Sequence, residues 1–159
     1  MSELLDPRTI NATWHLGPFA EVRVGDHVTR YVRRGTGPSV LLLLGHTEAN
    51  PLWSALIETL VAGHRVIIPQ PPPDGDHSAI CLRAFIEGIG ACDLVIIAGG
   101  SAIDAALEVA SSDEFTVRKL ILLPTDSHSA ERSSERILWI PADQSVPSSI
   151  QRVEEFVRL

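Results

Sequence analysis

Apolar residues in this chain fall into two kinds of block, and the two kinds alternate. Val40 to Leu44, Val66 to Ile68, Leu94 to Ile97, Lys119 to Leu123 and Ile137 to Ile140 are short, nearly continuous apolar runs. Runs of that length suit strands covered on both faces. Between them the apolar positions recur at helical spacing. Leu52, Trp53, Leu56, Ile57 and Leu60 share one face after Asn50-Pro51, a capping residue followed by a first-turn proline. Ile80, Phe85, Ile86 and Ile89 predict a second helix, weakened at its end by Gly88 and Gly90. Ile103, Ala106, Leu107 and Ala110 predict a third. Ile150, Val153, Phe156 and Val157 predict a last one, capped by Ser148 or Ser149. Ahead of all this, Phe19 to Val24 and His27 to Arg33 alternate apolar and polar residues around Gly25-Asp26, a hairpin pattern. Pro69 is expected to break the Val66 to Ile68 strand, and Gln70 to His77 and Thr125 to Glu135 read as polar loops.

Alternating β and α blocks imply a mainly parallel sheet with helices on both faces. No repeat or composition break divides the chain, so residues 1–159 read as one domain with an N-terminal extension over 1–18. The length suffices for a real core, and 45% hydrophobic residues argue for a folded globule. A formal net charge of −7 offers no basic surplus for phosphates, which excludes nucleic acid and anionic membranes as expected partners. Arg far outnumbers Lys, but the Arg residues are scattered. No run is long enough to span a bilayer, and the first residues carry acids and no apolar core of a signal peptide, so a cytoplasmic location is expected. Cys81 and Cys92 fall in or near one predicted helix and read as reduced, buried thiols. His64 and His77 are not spaced as metal ligands with any Cys or acid; no metal and no cofactor are expected. His15 and His27 read as solvated.

Several stretches, in order, resemble one superfamily. The run from Arg30 to Asp76 is similar to the opening of a bacterial α/β-hydrolase. Asp93 to Ala110, DLVIIAGGSAIDAALEVA, resembles that fold's nucleophile strand, elbow and following helix. Val117 to Asp126 and Arg136 to Pro147 resemble its next two strands. The resemblance spans roughly Val22 to Leu159 and implies an α/β class: a three-layer αβα sandwich, mainly parallel, with an N-terminal antiparallel hairpin, no cap domain and no last strand.

The departures from that family bear on chemistry. Where it has His-Gly after the third strand, this chain has Leu44-Gly45, and His46 follows at the position whose backbone N–H usually joins the oxyanion hole. The G-x-S-x-G elbow reads Gly99-Gly100-Ser101-Ala102-Ile103, without its last glycine. Aligning the following helix without a gap puts Gly100 at the nucleophile position; a one-residue slip puts Ser101 there. The G-x-x-D pattern of the family's acid reads Pro141-Ala142-Asp143-Gln144, with Gln144 at the acid and Asp143 one place early. The family's His lies beyond a further strand that this sequence does not contain, and Thr125 to Glu135 is too short to hold a cap.

Ligands of open parallel sheets bind outside the carboxyl ends of the strands. The residues expected there include His46, Ser101, His128 and Asp126 as proton-transfer groups, with Gly45, Thr47, Gln70, Gly99, Gly100, Asp143 and Gln144 around a ligand. A serine nucleophile needs a base in reach and the base an orienting partner. His128 beside Asp126, or His46 from the other side, would serve. The plainer alternatives are surface histidines, a Ser101 that caps a helix, and a glycine pair that forms a weak generic anion site. Three functions follow. The first is an atypical, non-hydrolytic acid–base enzyme that binds a small acyl or polyketide-like molecule and performs elimination, cyclisation or isomerisation. The second is a catalytically dead binding or scaffold protein, dimerising through an exposed sheet edge. The third is a weak esterase or thioesterase that uses Ser101.

Overall fold

The computed structural model describes residues 19–24, 27–43, 51–69, 79–91, 93–99, 102–111, 117–123, 136–140 and 146–158. The N-terminal extension and all but one of the expected site residues lie outside that set.

The hairpin forms as the alternation predicts: β1 (Phe19–Val24) and β2 (His27–Arg34) pair antiparallel, with Glu21 opposite Arg30. Arg30 Nε donates to Glu21 Oε1 at 3.1 Å across this pair. The rest alternates: β3 (Ser39–Leu43), α1 (Pro51–Val61), β4 (Arg65–Pro69), α2 (Ala79–Ile89), β5 (Leu94–Gly99), α3 (Ile103–Ala110), β6 (Val117–Leu123), β7 (Ile137–Trp139) and α4 (Val146–Arg158). One sheet of the described strands runs β1-β2-β4-β3-β5-β6-β7. β3 pairs parallel with β4 and β5, β5 with β6, and β6 with β7; β2 joins β4 antiparallel.

The continuous apolar runs are explained by burial on both faces. Val40 and Leu42 point into one layer with Trp53, Leu56 and Ile57 of α1 and Val153 of α4. Leu41 and Leu43 point into the other with Leu82, Phe85 and Ile86 of α2 and Ala105, Ala106 and Val109 of α3. Every residue of β5 is buried, as suits a strand flanked by β3 and β6 and covered on both faces. Each fully buried aliphatic side chain here contributes about 1.5–3 kcal/mol relative to exposure. Tyr31 of β2 meets Phe85 of α2 edge to face at 5.4 Å between ring centres, so the hairpin is held against that layer.

Several local expectations change. Pro69 does not break β4 but closes it, opposite Tyr31 on the antiparallel side. Ile80 is not on the buried stripe of α2: it is 76% exposed, and Ala79, Leu82, Phe85 and Ile86 carry that stripe instead. Helix α2 runs through Gly88 to Ile89. Cys81 is half-buried rather than buried, and Cys92 lies outside the described residues. Helix α4 starts at Val146, so Ser148 and Ser149 lie in its first turn rather than capping it, with Ser149 buried.

A bulge in β6 has a visible purpose. Leu94 pairs with Val117 but Val95 pairs with Lys119, so Arg118 is an extra residue. The slip leaves Val117 and Leu120 on the α2/α3 face, and turns Lys119 toward α4. Arg136 Nη2 donates to the Val117 carbonyl at 2.6 Å, satisfying an acceptor at the irregularity. Lys119 is buried as a residue; its ammonium donates to the Phe156 carbonyl in the last turn of α4 and sits 4.9 Å from the centre of the Phe156 ring. A cation there complements the helix dipole. Burial, and then the neighbouring Arg118, hold its pKa below the ordinary 10.5.

Candidate functional site

A parallel sheet sends its connecting segments out from defined strand ends, and here the register fixes which segments leave together. Leu43, the last residue of β3, pairs with Ala98 of β5. His46 is the third residue after Leu43 and Ser101 the third after Ala98. The segments that carry these two groups therefore depart from paired positions on adjacent strands. On the other side, Gly99 pairs with Leu123 of β6, from which the segment with Asp126 and His128 departs. Trp139 of β7 pairs with Leu122, and Asp143 and Gln144 lie on the segment after β7. Gln70 directly follows Pro69 of β4. The strand order thus ranks the ends from which these segments depart as β4, β3, β5, β6 and β7.

Of the expected site residues, Gly99 alone is among those described; His46, Ser101, His128, Asp126, Gly45, Thr47, Gln70, Gly100, Asp143 and Gln144 lie outside them. Gly99 is buried at the end of β5, and a side chain has no room there. An added Cβ would overlap Trp53 Cζ2 and lie 3.0 Å from Trp53 Cη2 and 3.6 Å from the Leu123 carbonyl oxygen. Its φ is not in the left-handed region, so this glycine is required by close approach and not by backbone twist. Trp53, in the first turn of α1, was legible as part of an apolar helical face, but its contact with Gly99 is non-local. The one sequence signal was a bulky aromatic opening a helix and a glycine pair closing a strand.

Helix α3 begins at Ile103 after Ala102, which is fully buried and makes no side-chain capping bond. Ala102, not Ser101, therefore occupies the cap position. Asp104 is exposed in the first turn of α3. Among the described residues, no group of three or more His, Cys, Asp or Glu side chains is arranged to hold a metal ion. Nor is any helix of the described residues long and apolar enough to cross a membrane.

Solved structures give this arrangement a class. The chain is similar to a protein assigned as a lipase from Acinetobacter baumannii AYE, at 25% identity and TM-score 0.57 over 73% of this chain and 44% of that one. It is similar to an epoxide hydrolase from Vigna radiata, at 18% identity and TM-score 0.57 over 73% and 39%. It is also similar to a bromoperoxidase from Bacillus anthracis, at 16% identity and TM-score 0.54 over 75% and 49%. The fold is that of the α/β-hydrolases. The chain spans less than half the length of each of these three structures. No protein-family model and no curated protein sequence matches the chain.

Proposed function

We propose that this chain binds a small organic molecule of acyl or polyketide type at the carboxyl ends of its parallel strands and acts on it by acid–base chemistry without hydrolysis. The observation that carries the reading is the Leu43–Ala98 pairing, which starts the segments bearing His46 and Ser101 from adjacent, matched strand ends. An imidazole with an ordinary pKa near 6.5 exchanges protons at neutral pH, and a hydroxyl beside it relays or accepts one. Asp126 and His128 follow the next strand and supply a second such pair. Hydrolysis is not part of the proposal. The elbow lacks its last glycine, with Ile103 in that place, and Gln144 stands where the family's acid is expected. Gly45, Thr47, Gln70, Gly100, Asp143 and Gln144 complete the surroundings of the ligand, with no metal or cofactor required.

The test has two stages. A small-molecule screen by thermal shift identifies the ligand, because binding to the folded state raises its stability. Turnover of that ligand is then measured in His46→Ala and Ser101→Ala. Loss of a general acid or base lowers the rate about 10²-fold or more, while a rim substitution costs about 0.5 kcal/mol or less of stability. Unchanged turnover in His46→Ala removes the proposed chemistry. Burst release from an aryl ester, abolished in Ser101→Ala, makes the protein an esterase instead. Ligands bound with no turnover at all make it a binding protein.

A further inference from the structure

Strand β1 ends the described sheet: among the described residues it pairs with β2 alone. Which of its backbone groups are spent on β2 follows from the inside of the sheet. Arg65 N–H donates to the Pro38 carbonyl, toward β3. Successive residues of a strand direct their N–H and C=O groups to opposite sides. Val66 and Ile68 therefore bond to β2, and their partners Arg34 and Val32 bond to β4. Pro69 fits this phase, because its position opposite Tyr31 calls for no donor toward β2. Tyr31 and Thr29 then bond to their partners on β1, Ala20 and Val22. Phe19, Glu21 and Arg23 are left to direct their backbone groups to the outer edge.

The side chains beside those outward groups carry opposite charges. Glu21 and Arg23 are exposed on one face of β1, while Val22 is half-buried on the other, against the α2 layer. Glu21 accepts from Arg30, but the residue opposite Arg23 is Val28, itself 48% exposed. A second β1 laid antiparallel on this edge must match outward groups to outward groups, which restricts the register. Centring the pair on Glu21 or on Arg23 sets a like charge against itself. Centring it on Val22 sets Glu21 against Arg23 of the second copy twice over, on either side of Val22 against Val22.

We propose that the outer edge of β1 is a homodimer interface, in which two copies pair β1 to β1, antiparallel about Val22, and continue the sheet across a two-fold axis. Such an axis requires a self-complementary patch, and Glu21-Val22-Arg23 is one. Each Glu21 then lies between Arg30 of its own chain and Arg23 of the partner subunit. Opposite charges facing each other across strands stabilise the pairing, and like charges oppose it. An open strand edge is a ready template for another strand, and here the template fits its own copy. The interface uses none of the groups of the proposed function.

Sedimentation equilibrium of the full chain reads the association, at concentrations up to about 1 mM because so short an interface is weak. Wild type is expected to be a reversible dimer. Arg23→Glu sets like charges at both pairs and should raise the dimer Kd roughly 10- to 100-fold. Glu21→Arg combined with Arg30→Glu keeps the pair within the chain with its charges exchanged, sets like charges across the axis, and should do the same. Mixed in equal amounts, the two variants should form a heterodimer of about wild-type affinity, since both pairs are again of opposite sign. Far-UV spectra and Tm values close to those of wild type show that the hairpin is intact; Arg23→Gln, with a smaller rise in Kd, replaces Arg23→Glu if that variant does not fold. A wild-type chain that stays monomeric overturns the proposal. So does a dimer whose Kd the charge variants leave unchanged, which lies on another surface. Variants that dissociate alone and still fail to associate when mixed overturn the pairing of Glu21 with Arg23.

Discussion

Adding one methyl group at Gly99 isolates the packing at the strand end from every other property of the site. The backbone at this position accepts alanine, since its φ is not left-handed. The cost of Gly99→Ala is therefore steric. The new Cβ would overlap Cζ2 of Trp53 and stand 3.0 Å from Cη2. Ordinary carbon contacts lie at about 3.5–4.0 Å, so the overlapping edge of the indole must retreat by about 1–1.5 Å. Trp53 is 5% exposed in a layer packed by α1 and α4, so retreat strains neighbours. Overpacking of this kind costs about 1–3 kcal/mol. Restricting the unfolded chain by replacing glycine returns about 0.4–1 kcal/mol. The net expectation is a loss of about 0.5–2.5 kcal/mol, or about 2–8 °C in Tm for a chain of this size. Urea unfolding should show a lower midpoint with an unchanged m value. Gly63→Ala is the control: nothing lies within 4 Å of the Cβ it would add, and the same unfolded-state term should stabilise it slightly. The decisive measurement is a double-mutant cycle with Trp53→Phe, which removes the overlapping ring atoms. A coupling of about 0.5–3 kcal/mol that offsets the loss is expected. Additivity within about 0.5 kcal/mol would falsify the contact and the reasoning built on it.

Gly35→Ala should cost more, about 2–4 kcal/mol, and no side-chain change should rescue it. Its φ is +81°, and the added Cβ meets backbone, including the Val61 carbonyl oxygen at 2.9 Å, which cannot rotate away; urea unfolding of the variant measures this. For Lys119 the sign follows from proton counting. Its folded pKa is below 10.5, so between that lowered value and 10.5 the unfolded chain binds more protons and stability from this group rises with pH. Lys119→Met should abolish that alkaline rise, read as the difference between the variant's and wild type's Tm as pH increases; an unchanged difference would show the ammonium to be solvated.

Much of the architecture was written in periodicity, and the places where it misled share a cause. Continuous runs such as Leu94 to Ile97 announced strands because both faces needed covering, and the structure covers both. Ile80 was read as core because it is apolar and in phase with Phe85 only when Ala79 is ignored. A small residue, Ala79, takes the buried place, and hydrophobicity alone does not report which of two neighbours faces inward. Pro69 lacks an N–H and reads as a strand breaker, but at the last position of β4 the missing donor interrupts no interior ladder. Lys119 read as the polar start of a strand; only the bulge at Arg118, set by pairing with β5, turns it toward the end of α4. At the site, the order in which the connecting segments leave the sheet follows from the strand order, which the sequence reading did not contain. The Trp53–Gly99 contact depends on a helix and a strand far apart in sequence, and no local pattern encodes it.

The pairing of β3 with β5 also constrains how this chain can be made. As synthesis proceeds from the N-terminus, β3 can find β4 early, but its second edge has no partner until residues as far as Gly99 have emerged. Until then Val40 to Leu43, fully buried in the finished fold, present an apolar strand with unpaired backbone groups. Such an edge is a template for pairing with other chains, and non-local parallel pairing forms slowly. The interval between emergence of β3 and closure by β5 is therefore the period in which a nascent chain is most prone to aggregate. Slower translation just beyond β5, or a chaperone acting on the chain before β5 emerges, should raise the soluble yield more than the same measure applied around β7.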